Sequence, residues 1–327
     1  MKKNNLNIPY VCPITGEELV YENENYISPS KRVFKIKNSI PRFCEEDNYS
    51  DSFGFQWNLF DRTQLDSFSD INLSYERFWA QTNWEPKSLD NLNILEVGSG
   101  AGRFSEVFLN STNCNLYSID YSSAVEANLR NNFKFKSRLI LSQASIYQMP
   151  FKDNSFDRLF CFGVLQHTPS FQKSVSALVS KVKINGEIVV DFYPIKGIHT
   201  KIHAKYILRP LTKRIPKKLL LLFIKKTVPF SLLIFDILVK LKLDFMVRFL
   251  PITDVRLFPK DLNKTKRKEW AVMDTFDCYS PDHDNPQRLK DVINMFKKEG
   301  CLVKFGGLVK FNGGSSTVVR AIKINQK

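Results

Sequence analysis

The stretch Ile94-Leu95-Glu96-Val97-Gly98-Ser99-Gly100-Ala101-Gly102-Arg103-Phe104 decides how this chain is to be read. A short strand-forming run meets three glycines at alternate positions, and a helix is expected from about Arg103. Glycines let the backbone pass close to a ligand, and the N-terminus of the following helix offers N–H groups to an anion such as a carboxylate. The spacing separates ligand classes. A dinucleotide fingerprint needs a glycine where Arg103 stands, and a phosphate loop needs a Gly-Lys-Ser/Thr ending that is absent. A turn of this kind can also be no more than a tight strand-to-helix connection, so its surroundings must carry the argument.

Downstream, Asn115 to Asp120 reads as a second strand. Asp120 ends it, where an acid can accept hydrogen bonds from both ribose hydroxyls of a nucleoside. Ser123-x-x-Glu126 then reads as a capping box opening the next helix. Arg138 to Ser142, Asp157 to Phe162 and Glu187 to Tyr193 continue the strands, with helical stretches such as Gln172 to Lys181 between them. This alternation predicts a parallel sheet covered on both faces. Asn285 to Glu299 reads as a helix ended by Gly300, and Cys301 to Phe305 with Thr317 to Lys323 as a closing hairpin at the sheet edge.

Upstream, residues 10–43 break into short β pieces: Tyr10 to Cys12, Glu18 to Tyr21, Tyr26 to Ser28 and Arg32 to Ile36. Asp51 to Trp84 is rich in aromatics separated by polar residues, which suggests helices with a core face. The expected division is a small β module (1–48), a helical connector (49–92), the cofactor half of an α/β domain (93–195), a basic helical insertion (196–268) and a closing part (269–327).

The 327 residues carry a net charge of +15. The segment from Lys196 to Lys268 holds nineteen Lys/Arg against four Asp, while the remainder is neutral. Any anionic partner therefore belongs to that one segment. Six cysteines at wide, irregular spacing argue for reduced thiols rather than a disulfide framework, and the N-terminus shows no apolar leader. The expected location is cytoplasmic, with peripheral attachment to a membrane as a further option.

The motifs together resemble class I S-adenosylmethionine-dependent methyltransferases. Ile94 to Phe104 looks like that family's first motif, and Leu116-Tyr117-Ser118-Ile119-Asp120 like its ribose-binding strand. Ala144 to Phe151 resembles the adenine-contacting segment, Ser155 to Thr168 the fourth-strand motif, and Val182 to Glu187 the loop before strand five. The resemblance implies a Rossmann-like α/β fold, mostly parallel with an antiparallel last strand, and S-adenosylmethionine as cofactor. It implies cofactor contacts from Glu96, Gly98, Ser99, Gly100, Gly102, Arg103, Asp120, Tyr121, Ser145, Ile146 and Phe162. Ser145 stands where the family usually has an Asp accepting from the adenine amino group. A hydroxyl still accepts that bond, with a loss of about 1 kcal/mol.

Transfer from a sulfonium is an in-line displacement, governed by positioning and by removal of the acceptor's proton. No metal is required, and no metal ligand is assigned. His167, after strand four, is a candidate base and equally a packing residue beside the cofactor. Tyr193, after strand five, is expected to position the acceptor. Phe53 to Trp57, Thr63 to Asp66 and Trp270 to His283 resemble segments of a subgroup found among bacterial sugar and surface-polysaccharide genes. That likeness implies Asp277 and His283 over the acceptor pocket, or simple loop capping there. The N-terminal module resembles a zinc-ribbon-like unit with Thr15 and Ser28 where cysteines would stand, so Cys12 and Cys44 cannot complete a four-ligand site.

These readings lead to methyl transfer onto a small-molecule hydroxyl, of a sugar or lipid-linked saccharide, in polysaccharide biosynthesis. RNA methylation and a non-catalytic cofactor-binding scaffold are the alternatives. Nucleic acid is the weaker partner because the insertion is rich in Leu and Ile rather than stacking aromatics. Its longest uncharged run, Thr227 to Phe235, is too short to cross a bilayer. It is either a lid over the domain or a set of basic amphipathic helices on an anionic membrane, and the two can coexist.

Overall fold

The computed structural model describes residues 8–45, 48–195, 197, 202–259 and 262–325. Residues 1–7, in which the lack of a leader was read, and Lys196 at the start of the insertion lie outside these.

The N-terminal module is a four-stranded antiparallel sheet of β1 (Val20–Glu22), β2 (Asn25–Ile27), β3 (Val33–Lys37) and β4 (Ile40–Pro41), paired in that order. About forty residues cannot bury a core of their own. Accordingly Ile8, Tyr10, Cys12 and Phe43 join the same buried cluster as the interior of the main sheet. At one end of the module Glu17 accepts from Thr15 at 2.7 Å and from Ser30, whose hydroxyl in turn meets that of Ser28 at 2.8 Å.

The connector forms α1 (Asp51–Leu59), α2 (Asp66–Ser69) and α3 (Leu73–Thr82). Its aromatic residues are core-forming, as the sequence suggests: Phe78 is fully buried among Trp84, Phe104, Phe108, Phe160 and Phe162. Asp66 caps α3 by accepting from the N–H groups of Ser74 at 2.9 Å and Tyr75 at 2.7 Å.

The main domain follows as β5 (Ile94–Val97), α4 (Arg103–Ser111), β6 (Leu116–Asp120), α5 (Val125–Asn131), β7 (Leu139–Gln143), β8 (Phe156–Cys161), α6 (Phe171–Lys181) and β9 (Val182–Phe192). The insertion supplies α7 (Ala204–Thr212) and α8 (Lys217–Lys240), followed by α9 (Lys264–Tyr279), α10 (Leu289–Lys298), β10 (Cys301–Phe311) and β11 (Gly314–Lys323). The seven strands lie in the order β10-β11-β9-β8-β5-β6-β7. Pairings among β5 to β9 are parallel, and β11 runs antiparallel to both β9 and β10. This is the expected Rossmann-like α/β sheet. Its order reverses beside β5, where the glycine turn leaves the strand.

Several local expectations are corrected. Ser123 does not cap α5: its side chain accepts no bond from that helix, and Glu126 reaches Arg42 and Asn38 of the N-terminal module instead. The stretch Val182 to Glu187 is part of β9 rather than a loop, because Val182 already pairs with Phe156 before a register shift. The last helix begins at Leu289, not Asn285, since Asn285 and Gln287 spend their N–H groups on the carbonyls of Gln166 and Tyr193. The two closing strands are longer than expected on either side of the Asn312-Gly313 turn. Trp270 to Tyr279 belongs to helix α9, not to a loop, and Trp270, Met273 and Phe276 bury its face against α8 and α1.

Candidate active site

The glycine turn is built by close approach. Gly98 sits at φ +83°, and a Cβ there would stand 2.1 Å from a methyl of Val164, in the loop after β8. Gly102 is also left-handed, but a Cβ on it would collide with the amides of Asn128 in α5 and Asn132 just after it, at 2.3 and 2.4 Å. Gly98 thus shapes the turn toward β8, whereas Gly102 seats α4 against α5. The N–H groups of Gly98 and Ser99 donate to Ile119, and that of Gly100 donates to Asp120 at 2.8 Å. The other carboxylate oxygen of Asp120 accepts from the Ser122 N–H and hydroxyl, at 2.8 and 2.7 Å. Burial raises the pKa of Asp120, and these donors oppose the rise. The carboxylate is therefore held rigidly at the carboxyl end of β6, with lone pairs to spare.

A cavity of about 930 Å³ opens over these strand ends. Gly98, Ser99, Gly100, Arg103, Asp120, Tyr121, Ile146, Phe162, His167, Tyr193 and Asp277 line it, so the fold brings eleven of the fifteen anticipated residues together. Four do not line it. Glu96 lies beneath the turn, buried, and accepts from Ser118 at 2.7 Å and from Ser105 at 2.5 Å. Burial lifts its pKa to about 7. Gly102 faces α5, as described. The Ser145 hydroxyl accepts from the N–H of Tyr147 at 3.2 Å, within its own turn. His283 packs its ring against Tyr49 and presents only its carbonyl to His167.

Arg77, Asp191, Asp274, Gln56, Trp57, Gln64 and Lys205 also line the cavity without having been singled out for it. Asp191 is buried at the end of β9 and accepts from Arg77 at 2.6 Å, Gln81 at 2.8 Å and the Gly163 N–H at 2.5 Å. Its place at the carboxyl end of a strand was a usable signal. Arg77 had none, because its partner is 114 residues away. Arg103 donates to Ser74 at 3.0 Å and to Gln64 at 2.8 Å, which gives the Thr63 to Asp66 motif a physical purpose. Burial first, then the negative charge of Asp277, pushes Asp274 up to about 8, so it is protonated at neutral pH.

In the loop after β8, the ring of His167 packs against Phe53 (4.9 Å) and Tyr193 (5.7 Å). Burial lowers its pKa, so the ring is neutral at pH 7. The Tyr193 phenol is pushed well up by burial and then by the negative charge of Asp277, which makes it a hydrogen-bond donor. Lys205 stacks 5.1 Å from the Tyr193 ring and lies 3.5 Å from Asp284. Asp284 also pairs with Arg209, which donates to the carbonyl of Cys278 at 3.0 Å.

The cavity fits an adenosyl cofactor on the chemistry of its lining. It offers a carboxylate at the end of the second strand, a close-approach turn and apolar walls at Ile146 and Phe162. The Ser99 hydroxyl and both polar atoms of the Gln56 amide are buried without a protein partner, and a polar ligand would satisfy them.

Residues 95–190 match the family model described as "Methyltransferase domain". The chain carries a methyltransferase domain. S-adenosylmethionine is the cofactor of this domain. Among curated proteins, a tRNA U34 carboxymethyltransferase of Nautilia profundicola is 29% identical over 112 residues, which is 34% of this chain and 37% of that protein. Phosphoethanolamine N-methyltransferase 2 of Caenorhabditis elegans is 27% identical over 104 residues, 31% of this chain and 23% of that protein. The chain thus spans well under two thirds of the length of these relatives. The Haloferax volcanii complex between the Trm112 methyltransferase activator and a methyltransferase contains a chain that superposes with a TM-score of 0.50. The identity is 8%, over 84% of this chain and 99% of that one, so it shows the methyltransferase-domain fold alone.

Proposed function

We propose that the protein transfers a methyl group from S-adenosylmethionine to a hydroxyl of a small polar acceptor, a sugar or a lipid-linked saccharide. The observation that carries this reading is one continuous cavity. It joins the Gly98 to Gly100 turn and Asp120 to a polar group of His167, Tyr193, Lys205 and Asp277, roofed by residues of the insertion.

The cofactor, when bound, supplies an activated methyl on a positively charged sulfur. Asp120 would accept from its ribose, Gln56 and Ser99 would hydrogen-bond it, and Ile146 and Phe162 would exclude water. On the acceptor side, the Tyr193 phenol donates a hydrogen bond and orients the hydroxyl. The carbonyl of His283 can only accept, so Nδ1 of His167 carries the proton and Nε2 keeps a lone pair. That Nε2 is the base to which the acceptor hydroxyl gives its proton. Asp277 raises the basicity of His167 against the effect of burial.

RNA is the second candidate acceptor, because two relatives are named for action on tRNA. Two measurements test the proposal. Calorimetry should show S-adenosylmethionine binding stoichiometrically, and a panel of sugars, lipid-linked saccharides and tRNA should reveal which acceptor releases S-adenosylhomocysteine. Turnover on tRNA and on no saccharide would replace the sugar reading. Absence of cofactor binding would remove both.

A further inference from the structure

Helix α8 is apolar on two opposite sides. One side, Leu220, Leu221, Ile224, Val228 and Phe235, is buried and packs on α9. The other carries Leu219, Phe223, Phe230, Leu233 and Ile237, continued by Leu241 just past the helix end, each between 49% and 66% exposed. Their spacing follows the helical repeat, so they form one ridge along the outward side. At 1.5 Å per residue the 24-residue helix is about 36 Å long. A soluble helix with its inner face already packed has no reason in stability to carry large apolar groups outward, so the ridge points to a partner.

Charge selects the partner. Lys218, Lys225, Lys226 and Lys240 on α8, with Lys213, Arg214 and Lys242 at its ends, are exposed and have no ion pair among the described residues. On a helical wheel Lys226 falls within the ridge, and Lys218, Lys225 and Lys240 along one side of it. A second copy of the chain would bring these like charges together, which opposes a dimer through this face. An anionic bilayer receives both components, with acyl boundary for the ridge and head groups for the lysines. No described helix is long and apolar enough to cross a membrane, and two lysines at the middle of α8 suit a helix lying in the interface plane. The ridge also runs toward the cavity: beyond its C-terminal end Phe245, Met246 and Phe249 are exposed, while Val247 and Arg248 line the cavity.

We propose that the outward ridge of α8, flanked by its lysines, seats this protein on an anionic lipid surface. The inference goes beyond the proposed methyl transfer and does not depend on it, since docking can be read without cofactor or acceptor. The full chain would be floated with vesicles of phosphatidylcholine alone and with about a third phosphatidylglycerol, at low and high salt. Binding is expected only with the anionic lipid and should weaken as salt rises. Two variants on exposed positions, Phe223→Ser/Phe230→Ser/Leu233→Ser and Lys225→Glu/Lys226→Glu, keep the test sound if one folds poorly. Each is checked by its melting transition. The triple variant should lose flotation, and the charge reversal should weaken it by at least roughly fivefold for each lysine replaced. No flotation at low salt, or equal binding to neutral vesicles, overturns the proposal. So does a wild-type dimer in sedimentation that the serine variant abolishes, or lysine-dependent binding of tRNA without binding to vesicles.

Discussion

Nδ1 of His167 stands 3.0 Å from the carbonyl oxygen of His283, 116 residues further along the chain. One bond thus fixes the tautomer of a buried imidazole and ties the loop after β8 to the segment after α9.

If His167 Nε2 takes the acceptor's proton, His167→Gln should lower kcat by roughly 10²-fold or more while leaving cofactor affinity nearly unchanged. Burial holds the folded pKa below the ordinary value near 6.5, so kcat should fall on the acid side only below about pH 6.5. The stability linkage has the same sign. The unfolded chain binds the proton more readily, so stability is lost as pH falls through that range. Unchanged turnover in the variant would leave His167 as a packing residue.

Asp120 joins the turn and the second strand, so Asp120→Ala should weaken cofactor binding by at least about tenfold in calorimetry. It should also lower the melting temperature of the unliganded protein, because charge-assisted bonds from the Gly100 and Ser122 N–H groups are lost together. Equal affinity in variant and wild type would remove Asp120 from the site.

Glu96 gives a prediction of the opposite sign. Burial lifts its pKa to about 7, above its unfolded value near 4.5, so the folded state holds the proton more tightly. Stability from this group is full below pH 4.5 and is lost as pH rises toward 7, by on the order of 3 kcal/mol. Glu96→Gln should flatten that slope in melts between pH 5 and 8. A variant with the wild-type slope would show that Glu96 ionises as freely as in the unfolded chain.

The Asp284 carboxylate is buried beside Lys205 and Arg209, and these cations hold its pKa down although burial opposes ionisation. Asp284→Asn leaves two cations uncompensated and should cost about 3 kcal/mol or more, read as a fall in chemical-denaturation midpoint. The loss should shrink in an Asp284→Asn/Arg209→Met double variant.

The fold was legible where sequence pattern and local chemistry coincide. The apolar runs at Ile94 and Leu116, each followed by turn and helix, gave the parallel sheet, and the acid ending a strand marked Asp120. What escaped was long-range partnership. Ser123 and Glu126 have the spacing of a capping box, yet Arg42 and Asn38 draw Glu126 away, and no local rule contains that competition. Trp270 to Tyr279 reads as a polar stretch because its acidic residues stand on the side of α9 that faces a cavity, where burial raises the pKa of Asp274 and Asp277 instead of solvating them as water would. Arg77 became visible only through Asp191, once α3 lay across the end of β9.

The pairing of the small N-terminal module with β7 has a further consequence. Phe43 donates its N–H to the carbonyl of Gln143, Arg42 bridges the same residue, and the Ile8 N–H caps the Tyr117 hydroxyl. β7 is the terminal strand of the seven, with its other flank already on β6. Among the described residues the module pairs with β7 at Gln143, so removing residues 1–48 would free that end of the sheet border and uncover Tyr117 and Phe151. Such a border recruits strands from other molecules. The module covers one end of that border and the apolar groups beside it, so a protein lacking residues 1–48 should self-associate more readily than the full chain.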